Sequence, residues 1–307
     1  MTMEPQRQGP SEASSAGGAC RSLGEYGNNA QRPGGHRRAL ASFVVHAVTV
    51  FAAAAPLTPI CAAVPARVLL VCADPNNLPF SNRTAEGFEN KLVELLARDM
   101  DAQVCYVWWA QRRGYARRTL NEAKCDIWPG VATGVKNIAT TRAYYRSTYV
   151  FVTRSDKPLQ GLTLDDGRLK SLSIGVQMIG DNAMNTPPAH ALAARGLIDN
   201  VRGYMLYGDY EQPNPSAAII DAVARGEVDV ALVWGPLAGF FAHRSTVPLR
   251  LEPVTARAGT QQWPMVYDIS VGMQPDTAAL RAQIEAILEK EKPTIDALLR
   301  AYHVPQP

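Results

Sequence analysis

A chain of 307 residues has room for two domains of about 150 residues each. Lys and Arg total 31 against 28 Asp and Glu, a formal net charge of +3, so the clustered basic excess that marks a nucleic-acid binder is missing. With 47% hydrophobic and 19% charged residues the composition excludes disorder of the whole chain, and no apolar run of membrane-spanning length follows position 66.

Positions 1–36 are rich in Gly, Ser, Gln and Asn without apolar periodicity, and read either as a disordered N-terminal extension or as sequence upstream of the true start. Arg37-Arg38 then precede the uncharged stretch ALASFVVHAVTVFAAAA (39–55), followed by Pro56, Pro59 and Pro65 and by small residues at Cys61–Ala63 and Ala66. Basic flank, apolar core, helix breaker and small-residue exit make residues 37–66 a secretory signal peptide, with cleavage after Ala63 or Ala66. Pro56 ends the apolar helix short of bilayer length, so a periplasmic protein with no membrane attachment after cleavage is expected. Cys72, Cys105 and Cys125 lie beyond the signal peptide, and an oxidising compartment predicts one disulfide and one buried thiol. Neither a CxxC pair nor Cys/His spacing supports zinc, and no cofactor is expected.

The elements follow from periodicity. RVLLVCAD (67–74) is a continuous apolar run, as in a strand buried on both faces. Gly87–Met100 places Phe88, Leu92, Leu95 and Leu96 on one helical face. Gln103–Trp109 predicts a strand, Arg113–Ala123 a helix, and Asp126–Val131 a third strand. Tyr149–Thr153 is a strand preceded only by a loop through Tyr144-Tyr145. A second series then begins with a strand at Ser173–Gln177, a helix over 182–195 interrupted near Pro187-Pro188, and a strand at Gly203–Tyr207. Ser216–Arg225 is helical, Val228–Val233 an almost purely apolar strand, and Trp234-Gly235-Pro236 turns into a short helix through Phe241. Leu249–Val254 and Asp268–Met273 read as strands, and Thr277–Tyr302 as helix broken at Pro293. Strands alternating with helices mean parallel βαβ units in two α/β halves, with terminal helices able to pack back on the first.

In open α/β sheets ligands sit beyond the carboxyl ends of the strands. That rule nominates Asp74, Asn76 and Asn77 after the first strand, Trp109, Arg112 and Arg113 after the second, and Gly130 and Thr133 after the third. From the other half it nominates Gln177, Asp181, Asn182 and Trp234. Helix N-termini after these strands are expected to offer free N–H groups to an anion or carbonyl. Asp74 and Asn76 have an ordinary alternative role, capping a turn before Pro79. Trp108 and Trp109 point to opposite faces of a strand, so at least one belongs to the core. Arg112-Arg113 offer forked donors for a carboxylate, phosphate or partner protein. Of the three possible cysteine pairings, Cys72–Cys125 joins neighbouring strands of the expected sheet, leaving Cys105 as the buried thiol.

A strand ending in Asp74 with Pro79-Phe80 close behind, Gly87-Phe88 opening the first helix, Cys125-Asp126 and Tyr144-Tyr145 before the crossover resemble type II periplasmic solute-binding proteins. More narrowly, CADPNNLPFSN (72–82), WWAQRRGYARRTLN (108–121), TTRAYYRSTYVFV (140–152), NTPPAHALAARG (185–196), YGDYEQPNPSAAIIDAV (207–223) and VWGPLAGFFA (233–242) resemble the XoxJ/MoxJ-type group associated with quinoprotein alcohol dehydrogenases of bacterial methanol oxidation. The resemblance implies a two-lobed α/β fold of the type II periplasmic-binding-protein class, each lobe a mainly parallel sheet flanked by helices, with a ligand cleft between them. Lobe 1 is expected over 67–153, completed by 265–307, and lobe 2 over 154–264. The implied role is that of a non-enzymatic accessory or interaction partner of a quinoprotein (PQQ) alcohol or methanol dehydrogenase. The alternative is the receptor of an ABC transporter that holds a small organic ligand in the cleft. Amino-acid-binding members carry a Thr-x-x-Arg turn after strand three. Here ATGVKNIATTR (132–142) offers only Lys136 near that place, which counts against amino-acid uptake.

Overall fold

The computed structural model describes residues 67–111, 114–179, 185–205, 210–259 and 262–307. The extension and signal peptide expected over 1–66, and Arg112, Arg113, Asp181 and Asn182, lie outside the described residues.

The apolar run RVLLVCA forms β1 (Arg67–Ala73), and its chain exit folds into a hairpin of two-residue strands, β2 (Asn76–Asn77) and β3 (Ser81–Asn82). Helix α1 (Phe88–Asp99) buries Phe88, Leu92, Leu95 and Leu96 while Lys91, Glu94 and Arg98 stay exposed, the stripe its spacing demands. Gly87 precedes it because a β-carbon there would collide with the backbone of Phe80, so the helix sits directly on the hairpin. Next comes β4 (Ala102–Trp108), parallel to β1.

The helix expected over 113–123 is instead one short turn, α2 (Tyr115–Arg118), and a separate 3₁₀ turn at Leu120–Glu122. Thr119 breaks it. Its hydroxyl donates to the Tyr115 carbonyl at 2.6 Å, taking the acceptor that a continuing helix would give to its own N–H. Then follow β5 (Ile127–Ala132), parallel to β1, and the short β6 (Ala139–Thr140). Strand β7 (Tyr145–Arg154) starts earlier than its sequence suggests and takes in Tyr145.

The second series runs β8 (Ile174–Met178), α3 (Pro187–Ala193), β9 (Val201–Met205), α4 (Ala218–Arg225), β10 (Val230–Trp234), α5 (Gly235–Arg244) and β11 (Leu249–Pro253). Pro187-Pro188 do not interrupt α3; they begin it, where the missing N–H of proline costs nothing. The chain ends with β12 (Val266–Met273), α6 (Ala278–Lys290) and α7 (Lys292–Ala301).

The main sheet has the order β4-β1-β5-β12-β7-β10-β8-β9. Its flanks, β4-β1-β5 and β10-β8-β9, are parallel, and its middle is antiparallel. Strand β7 joins the two regions: Tyr145–Thr148 pair with β12, and Tyr149–Thr153 pair with β10. Around β7 and β10 both faces are covered. Val150, Val152, Ala231 and Val233 enter one cluster, while Phe151, Val230 and Leu232 enter the other. Ile284, Ile287, Leu288, Ile295 and Leu299 of α6 and α7 pack with β1, α1 and β12, so the terminal helices return to the first half of the chain. Among the described residues no helix is long and apolar enough to cross a membrane.

Cys72 and Cys125 form a disulfide with Cα atoms 5.5 Å apart, inside a small cluster with Tyr115 and Leu120. Asp126 accepts the Leu70 N–H through its side chain at 2.8 Å and donates its own N–H to the Leu70 carbonyl at 2.8 Å, which fixes the approach of the two strands. Cys105 lies half-buried on β4. Non-reducing peptide mapping should recover Cys72 and Cys125 in one linked fragment. Replacing both by Ser should lower stability by about 4 kcal/mol in urea titration, the chain-entropy value for a bridge of this sequence separation.

Candidate functional site

Asp74 follows β1 and is 2% exposed. One carboxylate oxygen accepts the Asn76 N–H at 2.9 Å, which closes the turn. The other accepts the Gln111 N–H and the Tyr210 hydroxyl, each at 2.6 Å. Ser81 completes the turn, accepting the Asp74 N–H and donating to its carbonyl. Turn capping and site building are therefore the same job here.

The segment 210–216 docks onto this turn. The Asn76 side-chain amide donates to the carbonyls of Gln212 at 2.9 Å and Tyr210 at 3.4 Å, and the Ser216 hydroxyl donates to the Leu78 carbonyl at 3.0 Å. Beneath lies a cavity of about 310 Å³. That volume equals about ten waters at roughly 30 Å³ each, which suits a small ligand.

Of the nominated residues, Asp74, Asn76, Asn77, Gly130, Gln177 and Trp234 line this one cavity. Asn77 donates to the Gln111 side chain at 3.0 Å, and buried Gln177 accepts the Trp234 N–H at 2.8 Å. Trp109 does not line it. Its ring packs over the Cys72–Cys125 cluster, with the Lys124 ammonium 5.5 Å from the ring centroid. Thr133 is exposed and spends its hydroxyl on Ser270 at 2.6 Å and on the Asp268 carbonyl at 3.1 Å. The free N–H groups expected at helix starts are not free at α1, where Phe88 and Glu89 donate theirs to the carbonyls of Pro79 and Phe80. Lys136 is exposed, and Arg142 points outward to Glu289 at 3.5 Å.

Sequence reasoning did not nominate Glu89 or Tyr267, and Tyr145, Tyr149 and Tyr210 entered only within stretches that carry the family resemblance, yet all five line the cavity. Tyr145 and Tyr149 share one face of β7, and Tyr267 and Trp234 lie on the strands paired with it. The rings meet edge to face, Tyr149–Trp234 at 5.1 Å and Trp234–Tyr267 at 6.0 Å between centroids. Glu89 is 6% exposed, and its carboxyl lies against Gly130, where a β-carbon would collide with it. Burial, and then the charge of Asp74, push this carboxyl up to about 8. In the sequence Glu89 looks like any acid in a first helical turn, which masks it. The described lining thus holds two carboxyl groups and no Lys, Arg or His.

No protein-family model matches the chain. The protein MoxJ of Methylorubrum extorquens is 32% identical over 252 residues, covering 78% of this chain and 82% of its own length. The chain belongs to the MoxJ family. MoxJ of Paracoccus denitrificans is 30% identical over 246 residues, covering 77% of the chain and 88% of its own length. The crystal structure of the periplasmic binding protein XoxJ from Methylobacterium extorquens AM1 superposes with a TM-score of 0.63 at 33% identity, over 78% of this chain and 99% of that one. An ancestral cationic amino acid solute-binding protein, at 17% identity and a TM-score of 0.59, shares the fold. The MoxJ-family chain therefore has the two-lobed α/β periplasmic-binding-protein fold, and its cavity lies beyond the carboxyl ends of β1, β5, β8 and β10.

Two outcomes follow from this geometry. Asn76→Ala combined with Tyr210→Phe removes the docking bonds that Asn76 and the Tyr210 hydroxyl make and leaves the Ser216–Leu78 bond. Amide exchange in that segment should accelerate, with a stability loss of about 1–3 kcal/mol. The second concerns pH. A carboxyl held near 8 when folded stays protonated while its unfolded counterpart ionises from about 4.5. Its contribution is therefore fully present below about 4.5 and is lost as pH rises toward 8, with a slope of at most about 1.4 kcal/mol per unit. Urea titrations at several pH values should show Glu89→Gln removing that decline.

Proposed function

We propose that this MoxJ-family chain is an exported, periplasmic accessory protein that associates with a quinoprotein alcohol or methanol dehydrogenase and acts by binding, not by catalysis. The observation that carries the reading is the match to MoxJ over 82% of that protein's length, and the association with methanol oxidation is what the resemblance of the quoted stretches to the XoxJ/MoxJ-type group implies. The neighbour XoxJ is named a periplasmic binding protein, which supports the compartment. Binding rather than turnover fits the lining, because the Asp74 oxygens are committed to Asn76, Gln111 and Tyr210 and Glu89 has no free companion acid or base among the described residues. Lobe 1 over 67–153 with 265–307, and lobe 2 over 154–264, complete the reading, with β7 passing between them.

A second reading, the receptor of an ABC transporter for a small organic solute, is favoured by the cavity itself, whose volume and aromatic walls suit a ligand. The two readings diverge in one experiment. The mature chain, immobilised and exposed to purified quinoprotein dehydrogenase from the same cells, should bind it with micromolar or tighter affinity. Absence of association, with uptake of a solute that depends on the chain and on a permease, would establish transport instead.

A further inference from the structure

We infer that the cavity is a site for a small organic ammonium ion, held by the Glu89 carboxylate and by a box of aromatic rings. The inference stands independently of any association with a dehydrogenase.

Three observations carry it. First, no hydrogen bond or ion pair reaches the Glu89 carboxyl from the described residues, although the side chain is 6% exposed and lines the cavity. Buried carboxylates are paired in folded proteins, so a ligand cation is the partner this one lacks. Second, Tyr145, Tyr149, Trp234 and Tyr267 form adjoining walls, with the Tyr149–Trp234 and Trp234–Tyr267 pairs meeting at 61° and 73°. Four aromatic side chains thus line one volume, and aromatic rings grouped around a volume are the surroundings that attract alkylated ammonium groups. Third, the only other charged group in the described lining is Asp74, whose oxygens already accept three hydrogen bonds. Among the described residues a ligand carboxylate would meet two acids and no base, which favours an amine without an acid group.

Charge balance gives the site a pH signature. With the cavity empty, Glu89 is protonated below about 8, and an entering cation displaces that proton to solvent. The groups around Glu89 are Asp74 after β1, Tyr115 of α2, Tyr144 ahead of β7 and Tyr145 on it. Burial holds the three tyrosine hydroxyls well above their usual range, so they stay neutral through this interval.

The test is calorimetric titration of the full chain with choline, a quaternary ion with no proton of its own to lose, beside its neutral carbon analogue dimethylbutanol. Choline should bind at pH 8 and about fifty-fold more weakly at pH 6, in proportion to the ionised fraction of Glu89. Dimethylbutanol should bind more weakly than choline at pH 8. Glu89→Gln should cost choline at least tenfold and abolish the pH dependence, while Tyr267→Leu, at a half-buried wall, should cost it about tenfold without a pH change. Equal binding of the two probes, unchanged choline binding in Glu89→Gln, or no choline binding by folded protein at either pH would overturn the inference. If Glu89→Gln fails to fold, the pH profile of the unaltered chain and the Tyr267→Leu variant decide it.

Discussion

The architecture of the site depends on one buried carboxylate. Asp74 sits where β1 ends, and its two oxygens gather the Asn76 N–H, the Gln111 N–H and the Tyr210 hydroxyl from three separate stretches of chain. An ionised carboxylate taken out of water must be repaid by donors, and here the donors are the segments that enclose the cavity. The hairpin of β2 and β3, the exit from β4 and the docked segment 210–216 are thereby tied to one point.

The second constraint is the continuity of β7. Its first residues belong to the ladder with β12 and its later ones to the ladders with β10 and β11, so one strand carries the chain from one half of the sheet to the other. Side chains alternate along it. Tyr145 and Tyr149 therefore face the same way and build a common wall with Trp234 and Tyr267, while Val150 and Val152 enter the core packed by α4 and α5. Cavity and core are opposite products of the same period.

Two acids in one lining end up in contrasting states for physical reasons. Asp74 is surrounded by donors, which favour its charge. Glu89 enters from the first turn of α1 into apolar and aromatic surroundings, with its helix-start N–H groups already bound to Pro79 and Phe80, so burial favours its neutral form. The described lining, with two carboxyl groups and no Lys, Arg or His, is the basis on which a cation is inferred as its ligand. The absence of an inward-facing arginine among the described lining residues agrees with the missing Thr-x-x-Arg pattern after β5.

The alternation of apolar runs and amphipathic stretches was enough to read the α/β class, the buried face of α1 and the return of the last helices, because these depend on local period and on where apolar surface must go. The rule that strand ends face the ligand located Asp74, Asn76, Asn77, Gly130, Gln177 and Trp234 around one cavity, since each lies within a few residues of a strand's carboxyl end. It misplaced Trp109 and Thr133, whose direction is set by the Cys72–Cys125 cluster and by β12, contacts that no local pattern encodes. Glu89 and the lining tyrosines were not nominated as site residues for the same reason. A first-turn acid and strand aromatics have ordinary roles in any sequence, and only the folded chain brings Tyr210 to Asp74 across 136 positions and leaves Glu89 without a partner among the described residues. Residue type and period determine which elements form. Packing between distant elements decides which side chains share a cavity and what charge they carry there.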